Sequence, residues 1–239
     1  MSLGYLAMRA RLPLAVVLSV ILALNIFTEE TWSASPYSLY LPMVARSATP
    51  TPRTVEVVNV AQRSSLGYVY ITGEVQNNTG AAVYLVKIAA TFYNPDGSVA
   101  GANYSYAYYD WVPNGTRAPF LLLASPQAGW SRYELRTTWD TTSYFTYNHD
   151  FSLVNANSYW NGDLYYVVGE VRNDTAYTWQ YVRPVVTIYD SSGRVIDTRY
   201  AYVSSTDLAP GQTSSFSTFF FRDNLLTMAD YTVGVEGWR

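Results

Sequence analysis

Gly73-Glu74-Val75-Gln76-Asn77-Asn78-Thr79 returns 96 residues later as Gly169-Glu170-Val171-Arg172-Asn173-Asp174-Thr175. The same offset carries Val58-Asn59 onto Val154-Asn155, Val86 onto Val182, Tyr93 onto Tyr189 and Gly97 onto Gly193. A fixed internal period marks a duplicated unit, so the fold is read twice over. Around the shared stretch, Val69, Ile71, Gly73 and Val75 lie on one side of a strand, matched by Tyr165, Val167, Gly169 and Val171. The other side holds Tyr70, Thr72 and Glu74, matched by Tyr166, Val168 and Glu170. Period-two alternation kept in both copies predicts a strand with one buried and one solvated face. A glycine in mid-strand points to a bulge or a close backbone approach.

The next strand phases in the same way. Val86, Ile88, Ala90 and Phe92 share a face, as do Val182, Pro184, Val186 and Ile188. Pro184 has no amide hydrogen for a ladder, which predicts an edge strand or a bulge there. Asn94-Pro95-Asp96-Gly97 and Asp190-Ser191-Ser192-Gly193 read as tight hairpin turns. Six or seven short runs per copy, separated by such turns, predict an all-β chain of two tandem sandwiches, residues 55–140 and 141–239, each folding on its own. The 23 Tyr, 9 Phe and 7 Trp suit pleated, half-buried surfaces.

In copy one, Gly73 to Asn77 is followed by Phe92-Tyr93-Asn94 with Gly97, then Pro113 with Phe120. Copy two has Gly169 to Asn173, Ile188-Tyr189-Asp190 with Gly193, then Pro210-Gly211 with Phe216. This order resembles the FxLYD domain, a bacterial extracytoplasmic β-sandwich, over about residues 56–123 and 152–221. Ala90 and Val186 stand where the family's leading Phe would be. The resemblance implies an immunoglobulin-like fold and brings no catalytic residues.

Arg9 and Arg11 precede an apolar run from Leu12 to Phe27. That layout predicts a signal peptide or N-terminal membrane anchor helix over residues 1–34. Trp32 sits poorly at −3 from Ala34, so an uncleaved leader attached to the membrane through residues 12–27 is the alternative to secretion. Residues 35–54 form a Thr/Pro-rich linker. Both readings place the chain outside the cytoplasm. With no cysteine, thiol chemistry and disulfides are excluded. A net charge of −3 argues against a nucleic-acid partner.

His149 is the only histidine, and with no cysteine neither a zinc site nor a Ser-His triad repeated in each copy is expected; no nucleophile–base–acid set is recognised, and no metal or cofactor is expected. It reads as a solvated linker residue. Glu74 and Glu170 occupy equivalent places in separate copies, which does not make a glycosidase pair. Asp96, Asp150, Asp163 and Asp190 read as turn chemistry. Among the Asn-x-Ser/Thr sequons Asn77, Asn103, Asn114 and Asn173, the first and last read as turn formers. The sharp candidates are aromatic rows: Tyr104, Tyr106, Tyr108 and Trp111 in copy one, Tyr177, Trp179 and Tyr181 in copy two. Exposed rows of this kind stack on sugar rings or on a partner protein. Copy one has Ala81, Val83 and Leu85 at the places of Tyr177, Trp179 and Tyr181, so the fold does not demand that row, and Trp179 is expected to be at least partly exposed. The functional expectation is a non-enzymatic envelope or secreted module making structural or protein–protein contacts. The alternative is a carbohydrate-binding module. The partner would be an envelope protein or a polysaccharide.

Overall fold

A computed structural model of the chain describes residues 53–239. The leader and nearly all of the linker lie outside the described residues. Copy one forms β1 (Val55–Ser65), β2 (Tyr68–Asn77), β3 (Val83–Tyr93), β4 (Val99–Tyr106), β5 (Trp111–Val112), β6 (Arg117–Ala124) and β7 (Arg132–Asp140). Copy two is preceded by β8 (Tyr147–Asn148) and forms β9 (Phe151–Asn161), β10 (Leu164–Asn173), β11 (Trp179–Asp190), β12 (Val195–Tyr200), β13 (Asp207–Leu208), β14 (Thr213–Phe221) and β15 (Met228–Trp238). A single 3-10 turn, Arg222–Asn224, is the only helical piece among the described residues.

The sheet order repeats with the sequence. A three-stranded sheet β1-β2-β6 in copy one answers to β9-β10-β14 in copy two. The second sheet of copy one sets β3 between β4 and β7, with β5 also on β3; copy two sets β11 between β12 and β15, with β13 on β11 and β8 beyond β15. Each pair of sheets encloses its own core. Ile71, Val86, Ile88, Phe92, Phe120 and Leu122 fill the first, and Val167, Val182, Val186, Ile188, Leu208 and Phe220 the second. The inward faces are therefore those the alternation predicts. Pro184 is not on an edge: β11 is paired on both sides, and the ladder with β15 shifts register between Gln180 and Arg183.

The repeated glycine has a steric cause. A Cβ on Gly73 would stand 2.9 Å from the Phe120 ring and 3.1 Å from the Val58 carbonyl oxygen. A Cβ on Gly169 would stand 2.7 Å from the Phe216 ring, and the Asn155 oxygen would block it too. The repeated Asn-x-Thr is a lock. Asn77 is fully buried; its Nδ2 donates to the carbonyls of Ala81 and Val112, and its Oδ1 accepts from the Thr79 amide and hydroxyl. Asn173 does the same with Tyr177, Leu208 and Thr175. A buried amide so fully paired ties three chain segments together.

The expectation of one solvated face per strand fails in copy one, because copy two covers that face. Both copies belong to one compact unit. The outward side of β1-β2-β6 lies against β12, the Thr72 hydroxyl donates to the Val195 carbonyl, and the Tyr189 hydroxyl donates to Glu74 Oε1 at 2.9 Å. Thr72 and Glu74 are buried as a result. Val185 and Val195 are also fully buried, yet belong to neither core.

Asp197, on β12, is fully buried. Burial pushes its carboxyl above the usual 3.8, and the Asn224 amide and the Arg199 charge offset this only in part. The folded chain thus holds a proton there more readily than the unfolded chain, and stability falls as pH rises above 3.8 through the folded value. Asp197→Asn is expected to raise the melting temperature at neutral pH, with the gain shrinking towards pH 3.8. A lower melting temperature at neutral pH would show that the charged form is net stabilising.

Candidate functional site

A cluster of buried and half-buried charged groups lies where the copies meet. Glu236, on β15, is 0% exposed. Its Oε1 accepts from the Trp111 amide at 2.9 Å, and its Oε2 accepts from the Asp110 amide at 3.0 Å and from Arg183 Nη2 at 2.8 Å. Arg183 Nη2 also stands 3.4 Å from Asp110 Oδ2. Burial works against the charge on Arg183, but Asp110 and Glu236 together hold its guanidinium above the ordinary value. Burial pushes the Asp110 carboxyl up, against the pull of Arg183. Tyr109 packs its hydroxyl onto Gly234, where a Cβ would collide with it, and burial followed by the Glu236 charge drives its phenol up. A carboxylate that satisfies two backbone amides and a buried guanidinium is a fastening.

His149 belongs to this fastening and is not a solvated linker residue. Its Nε2 stands 3.3 Å from Glu236 Oε1, and its ring lies 5.0 Å from that of Tyr109 and 5.2 Å from that of Trp111. Glu74 serves the same junction, whereas Glu170 is held by Asn155 Nδ2 on its own sheet. Asp96 and Asp190 do accept the amide and hydroxyl of the serine two residues on, as turn chemistry requires.

The aromatic row of copy one divides in two. Tyr104 and Tyr106 are exposed and meet edge to face at 6.0 Å, with Lys87 Nζ 3.8 Å above the Tyr104 ring. The strand ends at Tyr106, and the following turn takes Tyr108 and Trp111 into the junction. Tyr108 lies edge-on to Tyr200 at 5.2 Å; burial, then the Asp197 charge, pushes its phenol up to about 12.

The row of copy two breaks at the bulge. Tyr177 is exposed beneath Arg239, whose guanidinium stands 4.0 Å from the ring. Trp179 is 3% exposed, contrary to expectation: it lies in the core and its Nε1 donates to Thr175 Oγ1 at 2.7 Å. Tyr181 takes a left-handed backbone, φ 49°, within the register shift, and turns outward. Strict alternation cannot continue through that conformation, so Trp179 and Tyr181 end on opposite sides. Tyr181 stacks on Trp238 at 5.2 Å and 13°, Tyr202 meets Trp238 edge-on, and Tyr200 meets Tyr202. A groove of about 320 Å³ beside them is lined by Gln180, Tyr181, Tyr202, Ser204, Thr206 and Asp207. Tyr200, Tyr202 and Trp238 were not singled out from the sequence, although the 96-residue offset maps Tyr104 and Tyr106 onto Tyr200 and Tyr202.

No protein-family model and no curated protein matches the chain. Among solved structures, the exo-chitosanase CsxA of Amycolatopsis orientalis is similar at 14% identity over 75% of this chain and 25% of that chain, with a TM-score of 0.25. Red sea bream transglutaminase is similar at 8% identity, 78% and 29% coverage, and a TM-score of 0.24. The CBM22 tandem domain of Paenibacillus barcinonensis Xyn10C is similar at 14% identity, 73% and 71% coverage, and a TM-score of 0.17. The chain thus spans roughly a quarter of the length of the first two. At these scores its function is argued from its own residues.

Proposed function

We propose that the chain is a non-enzymatic, exported contact module built from two tandem immunoglobulin-like sandwiches of the FxLYD type. The leader, read as a signal or anchor, directs it outside the cytoplasm, and its partner is an envelope protein. One observation carries the reading. The titratable side chains that could have formed a reactive set are consumed in fastening the copies, as Glu236, Arg183, Asp110 and His149 are, while Tyr104 and Tyr106 remain outward on a sheet face. A rigid two-part body with exposed tyrosines suits recognition.

Capture from native envelope fractions tests this. The wild-type chain should retain a partner that the Tyr104→Ala/Tyr106→Ala variant retains at least about tenfold less, the equivalent of 1.4 kcal/mol. Equal retention by both would remove these tyrosines from the contact surface. The stacked Tyr181–Trp238 pair beside a groove of hydroxyls and one carboxylate favours a second reading, polysaccharide binding. On a glycan array that reading requires a signal that Tyr181→Ala abolishes.

A further inference from the structure

The contact between the copies joins two different faces. Copy one gives the outward side of its three-stranded sheet, and copy two the outward side of the sheet built on β11. Being duplicates, both copies carry both faces, and the internal contact uses one of each. The two left over are the outward side of β4-β3-β7 and the outward side of β9-β10-β14. We infer that these remaining faces bind one another between molecules, so that the chain associates head to tail with further copies of itself. This rests on reading the chain as a contact module, and it names the partner.

The register identifies the counterparts. Lys87, Ala89, Thr91 and Tyr93 on β3 stand where Arg183, Val185, Thr187 and Tyr189 stand on β11. Arg136 and Thr138 on β7 stand where Gly234 and Glu236 stand on β15. Tyr166, Val168 and Glu170 stand where Tyr70, Thr72 and Glu74 stand. The used positions Thr72, Glu74, Arg183, Val185, Thr187 and Glu236 are buried, whereas all their counterparts are partly or fully exposed.

The two remaining faces also match in chemistry. The internal contact carries the Tyr189–Glu74 hydrogen bond, and its halves recur as Tyr93 and Glu170. Glu170 is held ready by Asn155 as Glu74 is by Asn59. The β9-β10-β14 face exposes Tyr159, Phe219 and Phe221, with Tyr159 stacked on Tyr166 at 5.4 Å and 11°. Opposite them would come the small Ala89 and Thr91 with Lys87 and Arg136, cations that sit well on aromatic faces. Bulk is exchanged across the contact. Inside the chain the large Tyr109 fits over Gly234. Between chains, the small Ser205, at the place of Tyr109, would meet the large Arg136. A contact between unlike faces does not use itself up in a dimer; it grows until the rotation closes a ring.

Sedimentation of the full chain, in mild detergent so that the apolar leader does not associate by itself, provides the test. The wild-type mass should rise past the dimer as concentration increases. Ala89→Glu spoils one face and Val168→Glu the other, and each variant alone should stay monomeric. Their equal mixture should form dimers and nothing larger, because each brings one intact face. If either glutamate lowers the unfolding midpoint, Tyr93→Phe and Glu170→Gln address the same faces more gently and should each weaken association. A wild type that stays monomeric overturns the inference, as do oligomers that persist in both variants or a mixture that does not pair. A monomeric wild type would leave the envelope-capture result standing, so the two readings fail separately.

Discussion

Glu236→Ala should destabilise the chain by about 3–5 kcal/mol, the usual cost of stripping one partner from a buried ion pair. The carboxylate is fully buried and satisfies the amides of Asp110 and Trp111 together with Arg183. Alanine would leave both amides without an acceptor and Arg183 with Asp110 alone, which stands 3.4 Å away. Glu236→Gln keeps the size and one acceptor oxygen, so its loss should be smaller. Denaturant unfolding of the three proteins measures the differences. A loss under about 1 kcal/mol for the alanine variant would mean that water replaces the carboxylate and that the junction is not a dry fastening.

Trp179→Ala should cost a similar amount, about 3–5 kcal/mol, as expected for emptying the place of a buried aromatic. The ring lies in the second core near Phe151, at 6.2 Å between ring centres, and its Nε1 donates to Thr175 Oγ1, part of the Asn173 lock. Trp179→Phe preserves much of the burial but loses that hydrogen bond, so about 1 kcal/mol should separate it from the wild type. Stability unchanged by the alanine substitution would return Trp179 to the surface row expected from alternation.

The period and the phase of the paired strands were legible because a core writes itself in apolar residues at every second place. Phe92 and Ile188 are read correctly on that ground alone. The junction was not legible. A polar interface uses the same residue types as a solvated face, so Thr72 and Glu74 look identical whether they meet water or Val195 and Tyr189. The bulge at Tyr181 was hidden for a different reason. Nothing in Trp179-Gln180-Tyr181-Val182 demands a positive φ, yet Leu85, its counterpart, has φ 47° as well, so the feature belongs to the shared backbone and not to the local residues. His149 escaped because its partner Glu236 lies at the far end of copy two. The Asn77 and Asn173 locks carried a readable sign: a loop motif kept in both copies is under a structural demand that a single copy would not reveal.

Two similar sequences on one chain invite mispairing as they fold, since a strand of one copy can mistake the other for its own. The ring of Tyr109 seated on Gly234 bears on that hazard. Were a second copy one to take the place of copy two, the same ring would be pushed against Arg136, which occupies the place of Gly234 in the first copy. The glycine is therefore a proofreading position: it admits copy two against the first copy's three-stranded sheet and rejects a second copy one there, in a chain that has no disulfide to hold a wrong pairing or to correct it.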